Sequence, residues 1–270
     1  MNILDKIIFD KRKEVILKKQ VISGTALAYF PLFERKTVSL ASALGKSESG
    51  IIAEHKRRSP SKAVINHDLS VQDVALGYQA AGVCGISVLT DGKYFGGSID
   101  DLVLARAAVD LPILRKDFIV DEYQILEAKA YGADVILLIA AVLSKSEIND
   151  FATFAKSLDL EVLLEIHNEE ELEKSLMPQL DMIGVNNRNL KTFDVNTDIS
   201  KSLSQKIPGE FVRVSESGIS NIETITDLKT YGFQGFLVGE NFMKTEDPGK
   251  SAAKFISALQ QENKFKSERK

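Results

Sequence analysis

Glu54 and Lys56 stand two residues apart in the segment Ile51-Ile-Ala-Glu-His-Lys-Arg-Arg-Ser-Pro-Ser61. In an extended strand that spacing projects both side chains from one face. Ile52 lies on the same face, so an acid and a base leave the mouth of a hydrophobic interior rather than a solvated surface. Charges in such a place need partners or perform chemistry. Taken alone, the segment also fits a plain ion pair at a strand end. Similar endings recur downstream, however, in Leu114-Arg-Lys116-Asp-Phe118, Leu164-Glu165-Ile-His167, Val185-Asn186-Asn-Arg188, Val214-Ser-Glu216-Ser217-Gly218 and Val238-Gly239-Glu240-Asn241. Gathered at one low-dielectric mouth, two lysines and two or three carboxylates tune each other's pKa, which is the arrangement of general acid/base catalysis.

Other chemistries are poorly supported. His55, His67 and His167 are scattered, with no His or Cys pair at ligand spacing, and lysines beside the carboxylates compete with a cation, so no metal site is expected. His167 reads as an orienting or satisfied residue rather than a ligand. No Gly-x-Ser-x-Gly elbow and no recognisable Cys/His pairing argues for nucleophilic catalysis.

The elements that must position these residues follow from periodicity. Eight short β-branched or aliphatic runs, at 51–54, 85–89, 113–115, 135–139, 161–165, 182–185, 211–214 and 236–238, alternate with stretches such as 121–131 and 145–158, whose apolar residues recur at three and four. Strand, crossover helix, strand is the unit of a parallel sheet. Eight units in one chain predict a (β/α)8 barrel, with chemistry at the C-terminal ends of the strands. The alternative is an open doubly wound sheet, whose glycine-rich turn after the first strand is missing, since 54–61 contains no glycine. Residues 1–48 are read as a helical extension capping the barrel within a single domain of 1–270. Its amphipathic helix spans about 3–19, with Ile3, Ile7, Ile8, Val15 and Ile16 as apolar positions. The charged tail 263–270 is expected to fray.

The loops after the seventh and eighth strands commonly bind phosphate in such barrels. Here Ser217-Gly218-Ile-Ser220 and Gly239-Glu240-Asn241 can bring backbone N–H groups against an anion, and Ser220-Asn221 or Asn241 can open short helices there. Glycines that merely close tight turns are the plainer explanation, and the Glu240 carboxylate must point away from any phosphate.

Composition limits the rest. With 270 residues, 44% hydrophobic and 27% charged, and a net charge of -4, the chain has globular content and no basic surface for nucleic acid. Runs such as Lys11–Lys13 read as solvated helix faces. The single cysteine, Cys84, excludes an intrachain disulfide and fits a reducing cytoplasm. The first residues lack a signal-peptide pattern and no apolar run approaches ~18 residues, so neither export nor membrane insertion is expected.

In combination and order, several segments resemble the indole-3-glycerol-phosphate synthase family of tryptophan biosynthesis. They are Ile52-Ala-Glu-His-Lys-Arg-Arg-Ser-Pro-Ser61, Leu89-Thr-Asp-Gly-Lys-Tyr-Phe-Gly-Gly-Ser98, Leu114-Arg-Lys-Asp-Phe118, Glu165-Ile-His-Asn168, Ile183-Gly-Val-Asn-Asn-Arg-Asn-Leu190 and Ser215-Glu-Ser-Gly-Ile219. The likeness covers nearly the whole chain, including the helical extension.

The resemblance implies a cofactor-free reaction in which 1-(2-carboxyphenylamino)-1-deoxyribulose 5-phosphate closes to an indole ring with loss of carbon dioxide and water. By the same resemblance, Lys116 matches the general acid at the ketone oxygen. Lys56, Glu54 and Glu165 match the acid and base of dehydration, with the steps not apportioned among them. Asn186 matches a substrate hydrogen-bonding residue, Arg188 and Glu216 match pocket residues, and Ser217 matches a polar neighbour. Ser59, Gly218, Gly239 and the Glu240 backbone are expected at the phosphate, and Lys56 at the anthranilate carboxylate. Pro60, Phe95, Phe118 and Phe193 are expected as the apolar wall, with Phe95 on a glycine-rich loop able to close over substrate. Glu240 stands where the family commonly has a small residue. The partner implied is a small phosphorylated molecule. A monomer is expected, with contact to other enzymes of that pathway left open. Two further readings fit the residues: an aldolase or isomerase using Lys116 as a Schiff base, and a non-catalytic barrel that binds a phosphorylated metabolite.

Overall fold

The computed structural model describes residues 2–189 and 192–268. Three helices come first, α1 (Ile3–Val21), α2 (Gly24–Leu27) and α3 (Leu40–Lys46). They are followed by β1 (Ile51–His55), α4 (Val71–Ala81), β2 (Gly85–Leu89), α5 (Gly92–Phe95), α6 (Ile99–Ala108), β3 (Ile113–Lys116), α7 (Glu122–Ala130), β4 (Val135–Ile139) and α8 (Lys145–Ser157). The second half runs β5 (Glu161–Ile166), α9 (Glu169–Ser175), β6 (Met182–Asn186), α10 (Asp198–Ser204), β7 (Val212–Glu216), α11 (Ile222–Thr230), β8 (Gly235–Val238), α12 (Glu240–Met243) and α13 (Pro248–Glu268).

All eight strands are parallel and close in chain order, β8 pairing with β1 through Ile51↔Phe236 and Ala53↔Val238. That closure is the TIM barrel the periodicity predicts, and it excludes the open sheet. The strands alternate between two apolar surfaces. Ile86, Ile113, Ile136, Leu164, Ile183 and Phe236 face the surrounding helices, whereas Ile52, Leu114, Leu137, Leu163, Met182, Val214 and Leu237 fill the barrel interior. Because both faces are buried, the strands read as continuous hydrophobic runs rather than alternating ones.

Several strands extend beyond the apolar runs seen in the sequence. β3 includes Lys116, β5 runs to Ile166, β6 to Asn186 and β7 to Glu216. The backbone ladder continues past the last apolar side chain, so the polar endings are held on rigid strand rather than on loop. Seven of the helices after β1 start on a side-chain cap supplied by the turn: Ser70, Asp91, Ser98, Asp121, Ser144, Asn168 and Asn221 all accept a hydrogen bond from an N–H of the first helical turn.

The segment before β1 occupies both ends of the barrel. Leu40 and Leu44 of α3 join the interior core at the N-terminal end, beside the buried Cys84 thiol. Glu161, the first residue of β5, accepts the Leu40 and Ala41 N–H groups at 2.8 and 3.0 Å and so caps α3. By contrast, α1 reaches the opposite end, where the strands finish. Its buried positions are Ile7, Lys11 and Val15, while Ile16, read as an apolar core position, is 58% exposed. A stripe drawn at steps of four from Ile7 passes through Lys11 and Val15 and leaves Ile16 one position off the packed face. At the other terminus, the tail expected to fray has helical backbone to Glu268, and residues 269 and 270 lie outside the described residues. Among the described residues, no helix is long and apolar enough to cross a membrane.

Candidate active site

A cavity of about 350 Å³ opens at the C-terminal ends of the strands. Every residue nominated from the sequence lines it: Glu54, Lys56, Lys116, Glu165, Asn186 and Ser217, together with Ser59, Pro60, Phe95, Phe118, Arg188, Phe193, Glu216, Gly218, Gly239 and Glu240. They come from seven of the eight strand ends, and only barrel closure brings β1, β3, β5, β6 and β7 to one mouth.

Lys116 stands at the centre. Its ammonium lies 2.8 Å from Glu165 Oε2 and 2.6 Å from Glu216 Oε2. Burial disfavours the charge, but Glu165, Glu216 and Glu54 outweigh it and push the lysine pKa up, so the group stays protonated through neutral pH. The two carboxylates diverge in the opposite sense. Burial works against ionised Glu165, yet Lys116, His167 and the Asn186 amide at 3.1 Å hold it down at about 2. Glu216 is dominated by burial, with the Glu165 charge adding to it against the pull of Lys116, and rises to about 7. Pairs of carboxylates pushed apart in this way can divide acid and base duties.

A pH effect on stability follows from Glu216. Its proton is held more tightly when folded, at about 7, than at the ordinary 4.5, so its contribution is full below ~4.5 and is lost as pH rises through about 7. Glu165 has the opposite sign, contributing above its ordinary 4.5 and failing only as pH falls toward about 2. Glu216→Gln is therefore expected to unfold at higher urea than wild type at pH 8, by about 1–3 kcal/mol, with the gap closing below about pH 5. Urea titrations at the two pH values check this; a constant gap would contradict it.

Around this core, Lys56, the residue after β1, pairs with Glu54 Oε1, as their spacing of two allows. Two glycines make the carboxylates fit. A methyl at Gly184 would collide with Glu216 Oε1, and one at Gly239 would collide with Glu54 Oε1. Neither of these steric roles is visible in the sequence, where Gly239 reads as a turn and phosphate-loop residue. Ser217 and Gly218 have positive φ of 66° and 79°, a sharp turn directly after Glu216. Asn187, fully buried, holds that turn from β6: its amide donates to Ser215 Oγ at 2.9 Å and to the Ser217 carbonyl at 3.1 Å, while its Oδ1 accepts the Ser200 hydroxyl at 2.8 Å.

At the rim, Glu240 pairs with Lys62 at 2.8 Å, an arrangement that turns its carboxylate aside. α12 opens at Glu240 with Gly239 as its cap residue, whereas Asn241, expected as a helix opener, sits inside it and donates to the Ser220 carbonyl. Asn221 does open α11. Phe95 ends a helical turn rather than sitting in open loop, because Asp91 caps α5 and Gly96 ends it in the left-handed region. That turn is tied down from the segment after β1: Arg58 donates to the Gly92 and Lys93 carbonyls at 2.7 and 2.9 Å, and Arg57 to Gly96 O and Asp101. The Phe95 and Phe118 rings are 5.8 Å apart and form one wall. Phe193 adopts a φ of 63°, its N–H bound to the Asn189 carbonyl and its own carbonyl accepting from Arg188 at 3.1 Å. Leu190, the last residue of its motif, lies outside the described residues.

Two features escaped the sequence reading. Ile3, Leu4 and Ile7 of α1 line the cavity. The helix is held there by Lys11, which is 2% exposed and lies 3.0 Å from each of Asp91 and Asp117, correcting its reading as part of a solvated face. A Lys ten residues from the chain start looks like any surface charge; only the buried acids just past the ends of β2 and β3 reveal its partners. Burial opposes its charge, but Asp117 and Asp91 raise its pKa, and Lys11 with Arg115 holds Asp117 well below the carboxylate range. Among the described residues, no group of three or more His, Cys, Asp or Glu is placed to hold a metal ion.

With this geometry in view, known proteins provide a comparison. Two curated indole-3-glycerol phosphate synthases are close in sequence. The one from Bacteroides thetaiotaomicron is 49% identical over 259 residues, covering 96% of this chain and 99% of that one. The one from Campylobacter jejuni subsp. doylei is 43% identical over 254 residues, covering 92% and 98%. A solved structure described as native KDPGal superposes with a TM-score of 0.57 at 12% identity, over 80% of this chain and 95% of that one, a likeness of fold alone. Residues 4–255 match the family model described as indole-3-glycerol phosphate synthase, so the chain belongs to that family of carboxy-lyases acting on a phosphorylated small molecule.

Proposed function

We propose that the cavity closes 1-(2-carboxyphenylamino)-1-deoxyribulose 5-phosphate to indole-3-glycerol phosphate, with Lys116 as the general acid. The aromatic carbon bearing the carboxylate attacks the ketone carbon, and the ketone oxygen takes a proton from Lys116 as the new C–C bond forms. Carbon dioxide then leaves, restoring the aromatic ring. Loss of the resulting hydroxyl as water, with removal of a proton, completes the indole. Glu54, Lys56 and Glu165 serve the dehydration as acid and base, and Asn186 orients substrate beside Glu165. Lys56 meets the anthranilate carboxylate. Ser59, Gly218, Gly239 and the Glu240 backbone receive the phosphate, with Arg188 and Ser217 as polar neighbours. Pro60, Phe95, Phe118 and Phe193 flank the aromatic ring.

The observation that carries this reading is the Lys116 ammonium clamped between Glu165 and Glu216. A Schiff base needs a neutral amine, and two carboxylates within 3 Å favour the cation. Borohydride added during turnover is accordingly expected to leave the protein mass unchanged, with one carbon dioxide released per indole formed. A reduced covalent adduct on Lys116 would replace this reading with the aldolase-type one.

A further inference from the structure

Glu165 is touched by a third group besides Lys116 and Asn186. His167 Nε2 lies 3.5 Å from Glu165 Oε1, and His167 Nδ1 lies 3.2 Å from Glu171 Oε2. The imidazole is therefore set between two carboxylates, one belonging to the candidate catalytic cluster and one outside the cavity. Its ring does not line the cavity, and its side chain is only 11% exposed. Nε2 is buried without a hydrogen-bond partner.

The outer carboxylate is rigid. Glu171 sits in the first turn of α9; its Oε2 also accepts the His167 backbone N–H at 2.8 Å, and its Oε1 accepts the Asn168 amide at 2.9 Å. Asn168 in turn caps the same helix through the Glu171 N–H at 2.9 Å. Because Glu171 accepts from Nδ1–H, the tautomer is fixed and Nε2 is the nitrogen free to gain or lose a proton. When neutral, it turns a lone pair toward a carboxylate oxygen. When protonated, it turns an N–H toward the same oxygen.

We propose that His167, oriented by Glu171, is a positioning residue that fixes Glu165 Oε1 through its Nε2–H, leaving the carboxylate ionised and aimed at the substrate. This rests on the reading of Glu165 as an acid/base group of the ring closure. The charged groups around the imidazole come from separate elements: Glu165 at the end of β5, Glu171 on α9 and Glu216 on β7, with the Lys116 ammonium of β3 beyond Glu165. Burial works against the imidazolium, but the three carboxylates outweigh it and lift the histidine pKa above its ordinary 6.5. The positioning N–H is thus kept to higher pH than on an ordinary imidazole and is lost as pH rises further.

Two replacements separate this role from packing. His167→Gln can place an amide N–H near the Nε2 position without a charge, whereas His167→Asn is too short to reach Glu165. The experiment measures kcat and KM of the wild type and both variants from pH 6 to 9, with Glu165→Gln as a reference and thermal melts on each. The expected result is that His167→Asn lowers kcat by about 10–100-fold while KM stays within about threefold. His167→Gln recovers most of that loss and removes the alkaline fall in kcat that wild type displays. Wild-type kcat and pH profile in His167→Asn, with Glu165→Gln inactive, would overturn the role of His167 alone. Failure of the glutamine to rescue, with both variants melting equally early, would also overturn it in favour of a packing role. Normal turnover in Glu165→Gln would overturn the acid/base reading on which the inference rests.

Discussion

Lys116→Ala is expected to lose turnover by about three to five orders of magnitude while keeping the barrel. A positioned general acid is worth about 10²–10⁴, and charge placed against a developing oxyanion about 10²–10³ more. The two overlap in one group, so the full product is an upper bound. Survival of the fold is less obvious, because the substitution leaves Glu165 and Glu216 facing each other without their shared cation. Two buried like charges are avoided when one carboxylate keeps its proton. Glu216, already raised to about 7, is placed to do so. The variant should therefore melt close to wild type below neutral pH and earlier above it. Indole formation and thermal melts at pH 6 and 8 check both halves. Turnover within tenfold of wild type would remove Lys116 from the acid role.

The second large effect concerns stability. Lys11→Met is expected to destabilise the protein by about 3–5 kcal/mol, the range for removing one partner of a buried ion cluster. Methionine fills most of the volume, so the loss is of charge and hydrogen bonds rather than of packing. Asp91 would be left buried without its cation, while Asp117 retains Arg115 at 3.1 Å, Thr90 at 2.6 Å and the Phe118 N–H at 2.8 Å. Since α1 brings Ile3, Leu4 and Ile7 to the cavity, loosening it should also raise KM. Urea unfolding and a KM measurement test the two consequences; a variant within about 0.5 kcal/mol of wild type would mean that the cluster is neutral toward folding.

How far the sequence carries can be judged from these same residues. The barrel was legible because eight apolar runs recur between helical stretches, and parallel strands covered on both faces have that appearance. The polar endings were legible because the apolar pattern stops abruptly at Glu54, Lys116, Glu165, Asn186 and Glu216. What periodicity does not record is packing at a distance. Lys11 looked solvated since nothing local distinguishes a helix face that meets Asp91 and Asp117 from one that meets water. Gly184 and Gly239 make room for carboxylates on neighbouring strands, a relation set by the closed ladder and by no spacing along the chain. The helical turn ending at Phe95 was hidden by glycines that read as loop, although Gly92 opens it and Gly96 is its C-terminal stop.

The most direct test of ring closure uses a property of the chain itself. It contains no tryptophan, so an indole signal during incubation with 1-(2-carboxyphenylamino)-1-deoxyribulose 5-phosphate must come from product. A time course of emission with purified protein is expected to rise with substrate consumed and to stay flat with Lys116→Ala. A flat trace with wild-type protein that nevertheless binds the substrate tightly would contradict the account and leave a phosphate-binding barrel of different chemistry.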